Sequence, residues 1–301
     1  ASEALVHCLE TVDPSVREGA AWAIGYIARH TPDLAQTMVD AGTVPLLVVC
    51  LQEPEPSLKQ IAASTLADIC KHTPELAQVV VSENAISFLA PLISHKDPKL
   101  KKQALSCLGK IAMHTPEHAQ AVAAADVIPR TLERLKDQDP SVRKNAATLI
   151  REIVKHTAQL ASVVVNAGGA AALVDYVVNI GDSGKLFGIM ALGFIAACNE
   201  TLAWAVVEAK AVEPLSKALE DEEPEAVRAV AAWALGQIGR HTSEHAVAVA
   251  DAHALTHLLR LFVSESSSED TKTKAKRALK GVVQKCTRLA ALEPLLDSPP
   301  T

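Results

Sequence analysis

Aromatic residues are scarce in this sequence. Phe, Trp and Tyr make up 3% of the 301 residues, whereas 49% of the residues are hydrophobic. A core with so few large rings must be built from Ala, Val, Leu and Ile. Such a core favours closely packed helices.

Paired cysteines are also missing. The chain has no C-x-x-C pair, and its six cysteines are scattered: Cys8, Cys50, Cys70, Cys107, Cys198 and Cys286. We expect them to be small buried hydrophobes in a reducing compartment rather than disulfides or metal ligands. No metal site is predicted.

An excess of basic charge is absent as well. The net charge of −6 and the pI near 6.0 exclude a protein that binds nucleic acid with its whole surface, although a local basic stripe stays open. The longest apolar run, 186–198, has 13 residues and is too short to span a bilayer. We therefore expect neither nucleic acid nor a membrane as a partner.

Catalytic motifs are absent too. The sequence contains no G-x-x-x-x-G-K-[ST], no G-x-S-x-G and no H-E-x-x-H. Neither an enzyme nor a bound cofactor is predicted.

A tandem repeat is present along the whole chain. The words HTPELAQ at 72–78, HTPDLAQ at 30–36 and HTPEHAQ at 114–120 begin 42 residues apart, and HTAQLA follows at 156–161. Weaker copies begin at Cys198, His241 and Cys286, at steps of 42, 43 and 45 residues. A period of this length is typical of a repeat architecture.

Each repeat is predicted to contain three helices. In the unit 73–114, Thr73 is an N-cap before Pro74, and the first helix runs to about Val81. After a break at 82–84, where other units have a helix-ending Gly, a second helix covers 85–93. A third helix runs from Asp97-Pro98 to His114.

The cap-plus-proline pair that opens the third helix recurs as Asp13-Pro14, Glu55-Pro56, Asp139-Pro140 and Glu223-Pro224. Only 181–184 lacks it, and a looser turn is expected there. Each third helix carries apolar residues at i, i+4, i+8 and i+11, which lie on one face. A single unit cannot bury that face, so neighbouring units must stack.

The predicted fold is all-α, a right-handed superhelical solenoid in the armadillo length class. We expect one domain over 1–301, with complete repeats at 31–72, 73–114, 115–156, 157–198, 199–241 and 242–286 and partial repeats at 1–30 and 287–301. The chain is expected to be a portion of a longer protein. The apolar residues Ala291, Leu292, Leu295 and Leu296 are expected either to fold back as a cap or to mediate self-association.

Three recurring rows of residues are candidate sites. The first, the histidine row, consists of His30, His72, His114, His156 and His241, with Cys198 and Cys286 in the remaining positions. Its two interpretations are a zinc site or a cap on the third helix that each histidine closes, with the imidazole bonding the last carbonyls. Stacked helices lie about 8–10 Å apart, whereas zinc holds its ligands at about 2.0–2.3 Å, so the cap is favoured.

The second row, here called the basic ladder, lies one residue after the start of each apolar stripe: Arg17, Lys59, Lys101, Arg143, Lys185 and Arg228. Each cation either bonds carbonyls or an acid of the adjoining repeat, or belongs to a stripe that meets an acidic partner such as an acidic peptide or a tubulin surface.

The third row faces away from the buried stripe and should line a concave groove. Its candidates for partner contact are Trp22, Tyr26, Lys110, Phe194, Trp233 and Gln237. Packing of the aromatic members on an adjacent helix is the alternative. The acidic loops at 220–225 and 264–270 are expected to be solvated turns, and phosphorylation of the serines at 266–268 is open.

Several words carry a family resemblance: WALGQIGRHT at 233–242, KNAATLIRE at 144–152, VNAGG at 165–169, and QKCT at 284–287 leading to ALEP at 291–294. They resemble armadillo-repeat proteins, most closely those of the flagellar central apparatus. The resemblance implies a scaffold in the cytoplasm and cytoskeleton, on the central pair of the cilium or flagellum axoneme, which supports microtubule stability and cell motility. Its implied partners are central-pair proteins, tubulin among them.

Two other armadillo functions remain as alternatives. One is an importin-alpha-like receptor. Such receptors share a pair of residues, a Trp and an Asn four residues apart, on successive third helices. Here Trp occurs only at Trp22 and Trp233, and no unit has the Asn. A beta-catenin-like adaptor is the other alternative.

Overall fold

The computed structural model describes residues 2–220, 222–288 and 292, without the side chains of Asp182 and Ser183. These residues form 20 helices and no strand. The helices are α1 (Ser2–Leu9), α2 (Pro14–Ala28), α3 (Pro32–Asp40), α4 (Thr43–Cys50), α5 (Pro56–Cys70), α6 (Pro74–Ser82), α7 (Ala85–Leu92), α8 (Pro98–Ala112), α9 (Pro116–Ala124), α10 (Val127–Arg134), α11 (Pro140–Val154), α12 (Ala158–Asn166), α13 (Gly169–Asn179), α14 (Asp182–Cys198), α15 (Glu200–Glu208), α16 (Val212–Lys217), α17 (Glu225–Gly239), α18 (Ser243–Asp251), α19 (Ala254–Val263) and α20 (Glu269–Lys285).

The helices belong to two compact units, Ala1–His156 and Thr157–Thr301. In the first unit the long third helices α2, α5, α8 and α11 stack in that order, and in the second unit α14, α17 and α20 do the same. Most residues of the predicted apolar stripes are buried between them, with Leu58, Leu108 and Leu235 fully covered, whereas Val16 at the start of the first stripe is exposed. The predicted all-helical armadillo-repeat solenoid is confirmed.

The predicted helix starts are confirmed in the unit that begins at Thr73. The Thr73 hydroxyl accepts a hydrogen bond from the backbone N–H of Leu76 at 3.2 Å, and Pro74 occupies the first turn. Asp97 caps α8 in the same way through the N–H of Lys99 at 2.9 Å. These caps satisfy N–H groups that have no partner within the helix.

Two helix boundaries differ from the prediction. The third helix of this unit ends at Ala112, two residues before His114. α17 begins at Glu225 rather than at Pro224, which occupies the N-cap position without a side-chain hydrogen bond.

One turn has a left-handed residue in every repeat. The turn between the first and second helices places φ between +55° and +84° at Gly42, Asn84, Asp126, Gly168, Lys210 and His253. Glycine adopts this conformation without strain, whereas a side chain with a Cβ does so at a cost. The same left-handed backbone conformation is therefore adopted by two glycines without strain and by four residues with a Cβ at a cost in energy.

The histidine row joins successive repeats. Nε2 of His72 lies 2.7 Å from the carbonyl oxygen of Ala28, and the same bond links His114 to Cys70, His156 to Ala112 and His241 to Ala196. Each acceptor lies in the last turn of the preceding third helix. The prediction that each histidine closes the third helix it follows is wrong: the imidazole does bond a carbonyl of a last turn, but that turn belongs to the third helix of the preceding repeat. The ring extends sideways to carbonyls that lack a helical partner.

Most of the predicted partial repeat at 287–301 lies outside the described residues, which include only 287, 288 and 292 of it. Ala291, Leu295 and Leu296 of the predicted cap or self-association site lie outside them as well.

Among the described helices, none is by itself long and apolar enough to cross a membrane. Three sharply bent helix pairs meet that length and composition only when each pair is taken together.

Candidate functional site

The basic ladder is engaged by acids at three of its positions. Arg17 pairs with Glu53 at 3.0 Å, and ion pairs also join Lys101 to Asp137 and Lys185 to Glu223. Each acid lies in the loop before the third helix of the following repeat. The side chains of the three cations are only 10–19% exposed.

The Lys101 pair shows how these loops are held. Burial alone would raise the pKa of the Asp137 carboxyl, but the hydrogen bond from Lys101 and the backbone N–H of Asp139 bring that pKa below its ordinary value. Asp137 is thus ionised and fixed against the preceding repeat. Lys59 and Arg143 are half-buried in the described structure and have no acidic partner there. A role of the ladder in partner binding stays a prediction.

In the first unit, the structure brings Trp22 and Tyr26 together on α2. Their rings stack with centroids 5.3 Å apart, and the guanidinium of Arg29 lies 4.1 Å from the Tyr26 ring centroid. Trp22 is 60% exposed and Tyr26 46% exposed. They line a shallow cavity of about 210 Å³ together with Ser64 and Asp68 of α5. We call this the N-terminal cavity.

In the second unit, Phe194 and Trp233 meet between α14 and α17. The rings form an edge-to-face pair with centroids 5.1 Å apart. A Cβ on Gly193 would lie 2.2 Å from a ring carbon of Trp233, so the indole occupies the space that a side chain at 193 would need. Trp233 is half-buried. This aromatic pair packs on the adjacent helix, which is the alternative considered for this row.

The open face of Trp233 borders a larger cavity. Together with Gln237 it lines a cleft of about 580 Å³ between α17 and α20, where four cations converge: Arg240, Lys274, Arg277 and Lys280. We call this the C-terminal cleft. Lys274 pairs with Asp270 at 2.5 Å, and a guanidinium nitrogen of Arg240 donates to the carbonyl of Ala197 at 2.9 Å. Arg277 and Lys280 are exposed and have no acidic partner within the described residues.

Sequence reasoning missed these four cations. Six basic residues within α20 were available as a signal, because the segment 269–285 reads EDTKTKAKRALKGVVQK. The sequence shows the positive charge of this helix, but it does not show which side of the helix faces Trp233. The cleft is therefore a basic surface of this unit, and Lys185 and its acidic partner are not among the residues that line it.

Lys110 and Glu152 occupy the position of Tyr26 in their own repeats, 84 and 126 residues further along the chain, and their environments differ. Lys110 is half-buried on α8, and no described contact joins it to the N-terminal cavity. Glu152 is buried and holds ion pairs with Arg151 and Lys155. Burial alone would raise the pKa of the Glu152 carboxyl, but hydrogen bonds from Lys155 and Arg151 lower it below the ordinary value.

The cysteines of the described structure are all free thiols, and three of them, Cys50, Cys70 and Cys107, are buried. Burial raises the pKa of the Cys70 thiol, which keeps it protonated and unreactive. In the described part of the chain no three His, Cys, Asp or Glu side chains come together as a metal site would require.

The chain matches a sequence model of a known family over most of its length. The model is described as Armadillo/beta-catenin-like repeat, and it matches residues 1–29, 31–71, 73–113, 115–155 and 199–240. These segments include both the Trp22 and the Trp233 repeats.

Two curated relatives match part of the chain. Sperm-associated antigen 6 from Homo sapiens is 56% identical over 87 residues, and the protein of the same name from Mus musculus is 55% identical over 87 residues. The match covers 29% of this chain and 17% of each relative. The chain thus spans less than a fifth of the length of these relatives.

Solved structures match more of the chain. An engineered protein from the Northeast Structural Genomics Consortium has a TM-score of 0.91 and 27% identity, over 98% of this chain and 71% of that chain. A designed armadillo repeat protein in complex with the peptide (KR)4 has a TM-score of 0.75 and 25% identity, over 79% of this chain and 99% of that chain.

Proposed function

This chain belongs to the armadillo-repeat family, and from that premise we propose that it is a non-enzymatic protein-binding scaffold of the axonemal central apparatus. There it supports the central-pair microtubules and flagellar motility. The observation that carries this location is the 56% identity to sperm-associated antigen 6 over 87 residues. Because that stretch is 17% of the relative, the relative's role comes to this chain only as part of the proposal.

The C-terminal cleft is the proposed partner site, and its chemistry favours an acidic segment. Arg277 and Lys280 are exposed cations beside the apolar face of Trp233. An extended acidic peptide that places carboxylates on the cations and an apolar side chain on the indole would satisfy both. Acidic segments of central-pair proteins, tubulin included, fit this description.

The designed armadillo repeat protein differs in its ligand, because it was solved in complex with the basic peptide (KR)4. A basic peptide would meet like charge in the C-terminal cleft, and like-charge contacts oppose binding. The fold is shared, but the charge of the proposed ligand is reversed.

The N-terminal cavity is a proposed second contact. Trp22 and Tyr26 present a stacked, exposed aromatic surface, and large aromatic side chains carry much of the energy at protein interfaces. Partner contact by Lys110 and by the basic ladder stays a prediction.

Axonemal retention tests the proposal. The full-length tagged parent of this chain is expressed in a flagellated cell, extracted with detergent, and the fraction that stays with the axoneme is measured. We expect strong retention, with a loss of at least tenfold on Arg277→Glu together with Lys280→Glu. Retention should also become weaker as salt rises.

A matched control removes the effect of net charge. Lys276 and Lys285 are exposed on the same helix but do not line the C-terminal cleft, so Lys276→Glu with Lys285→Glu changes the charge equally. Equal losses in the two double variants would contradict a site in the cleft. A parent that extracts fully and copurifies with nuclear-import factors would overturn the axonemal location.

A further inference from the structure

Two ion pairs of the basic ladder have their acid at the same position of the repeat, whereas Glu223, the partner of Lys185, lies four residues before Val227, the first stripe residue of α17. Glu53 lies five residues before Leu58, the first stripe residue of its third helix, and Asp137 lies five residues before Val142. Both acids reach back to a ladder cation of the preceding repeat, Arg17 and Lys101 respectively. An acid at this position thus ties two repeats together.

In the last described repeat, this position holds a serine. The stripe of α20 begins at Thr271, which is buried as Leu58 and Val142 are, and Ser266 lies five residues before it. The ladder cation of the preceding repeat is Arg228. Ser266 therefore occupies the place of Glu53 and Asp137 in the Arg228 repeat.

The structure places a cationic cavity at that serine. A cavity of about 290 Å³ is lined by Arg228, Arg260, His257 and the hydroxyl-bearing residues Ser264 and Ser266. The hydroxyl oxygens of the two serines lie 2.8 Å apart. Two arginines beside one serine hydroxyl are the arrangement that a phosphate group binds best, through paired charge-assisted hydrogen bonds.

The loop is both held and accessible. The carboxylate of Glu225 on α17 accepts the backbone N–H of Ser268 at 2.6 Å and the hydroxyl of Thr271 at 3.0 Å. Ser267 is buried, whereas Ser266 is exposed. A modifying enzyme can thus reach Ser266, and the anchored loop keeps its hydroxyl at the mouth of the cavity.

We propose that Ser266 is a phosphorylation site and that its phosphate binds Arg228 and Arg260. The Ser266 Oγ attacks the γ-phosphorus of ATP held by a protein kinase; the new O–P bond forms as the bond to ADP breaks, and the hydroxyl proton passes to the kinase's base. Glu265, Glu269 and Asp270 flank the serine, so the kinase is one that selects acidic sequences. The phosphate adds a negative group at the sequence position that Glu53 and Asp137 hold in their own repeats.

Phosphoserine encoded at position 266 of the 301-residue chain tests where the phosphate binds. By ³¹P NMR we expect its second pKa to fall clearly below about 6, the usual value, because two guanidinium groups favour the dianion. The melting temperature should rise by several degrees. In the Arg260→Gln background both effects should shrink; Arg260 is exposed, so this variant keeps the fold. A phosphate pKa near 6 in both backgrounds, or a lower melting temperature, would overturn the proposal.

A second experiment tests the modification itself. The chain is incubated with ATP and an acid-directed protein kinase, and the phosphate is mapped by mass spectrometry. We expect modification of Ser266 ahead of Ser264, Ser267 and Ser268, and its loss in Ser266→Ala. Phosphate found on the other serines while Ser266 stays unmodified would refute the site.

Discussion

Three equivalent positions of the repeat can be compared between the first unit and the second. On and just after α2 they hold Trp22, Tyr26 and His30. On and just after α17 they hold Trp233, Gln237 and His241, and their environment is different. Trp22 is 60% exposed and stacks only on its own helix, whereas Trp233 packs over Gly193 of α14. His30 is exposed, whereas His241 bonds the carbonyl of Ala196.

The cause of the difference is the neighbour. A third helix, α14, lies beside α17 on the side that these residues face, and no described third helix takes that place beside α2. A residue of the repeat therefore acquires its role from the repeat before it. Trp233 is a packing residue whose outer face borders the C-terminal cleft.

Removal of the two indoles should give the largest contrast. Trp233→Ala is expected to lower the free energy of unfolding by roughly 2–4 kcal/mol, somewhat less than for a fully buried Trp because the ring is half-buried. Trp22→Ala should cost below about 1 kcal/mol. Urea unfolding followed by circular dichroism measures both, and similar losses would show that the environments do not differ in energy.

Glycine substitutions sharpen the contrast next. Gly193→Ala should cost about 1–3 kcal/mol, because the new Cβ displaces the Trp233 ring. Gly19 of α2 has open space around it, so Gly19→Ala should stabilise by about 0.5–1 kcal/mol through helix propensity.

The glycine result has an internal check. In the Trp233→Ala background the cost of Gly193→Ala should vanish, because the two positions interact directly. An unchanged cost in that background would assign the clash to another neighbour.

The histidines should differ by a smaller amount. His241→Ala removes the bond to Ala196 and should cost about 1 kcal/mol, whereas His30→Ala should cost close to zero. Melting temperatures at pH 7 report both variants. The comparison fails if His30→Ala is the more damaging.

The pH dependence adds a second measurement for His241. Burial lowers the pKa of its imidazole below the ordinary value of about 6.5. The unfolded chain then binds more protons below pH about 6.5, so stability falls as the pH decreases through this range and returns as it rises. His241→Gln should flatten that part of the profile, which a pH series of melting temperatures would measure.

The left-handed turn gives the smallest expected effect. The first unit has Gly42 at this turn and the second has Lys210 at φ +63°. Lys210→Gly should stabilise by about 0.5–1 kcal/mol, and Gly42→Ala should destabilise by about 1 kcal/mol. Thermal unfolding of the two variants should shift in opposite directions; a shift in the same direction would remove the strain argument.

Features that depend on a few adjacent residues could be predicted from the sequence. Thr73-Pro74 and Asp97-Pro98 specify helix starts through local hydrogen bonds, and the 3.6-residue period specifies which face is buried. The repeat length then identified the architecture. These interactions do not depend on how neighbouring repeats are positioned.

Features that join one repeat to the next could not be predicted in the same way. The bond from His114 goes to Cys70 rather than to its own helix, and Trp233 depends on the missing side chain at Gly193, 40 residues earlier. The Lys101–Asp137 pair was within reach, because the 36-residue offset also separates Arg17 from Glu53. The α20 cations of the C-terminal cleft could not be predicted, because the sequence does not show which side of α20 faces Trp233.

The histidine bonds have a consequence for how such a chain can change in length. Each donor follows its acceptor by 44 residues at three positions and by 45 at the fourth. Duplication or excision of one whole unit, cut at any equivalent point, gives every histidine an equivalent acceptor. At His241 the bond is kept although the offset is one residue longer, so the segment between donor and acceptor accommodates that residue. The bond is therefore compatible with changes in the number of whole repeats and with a one-residue change within a repeat.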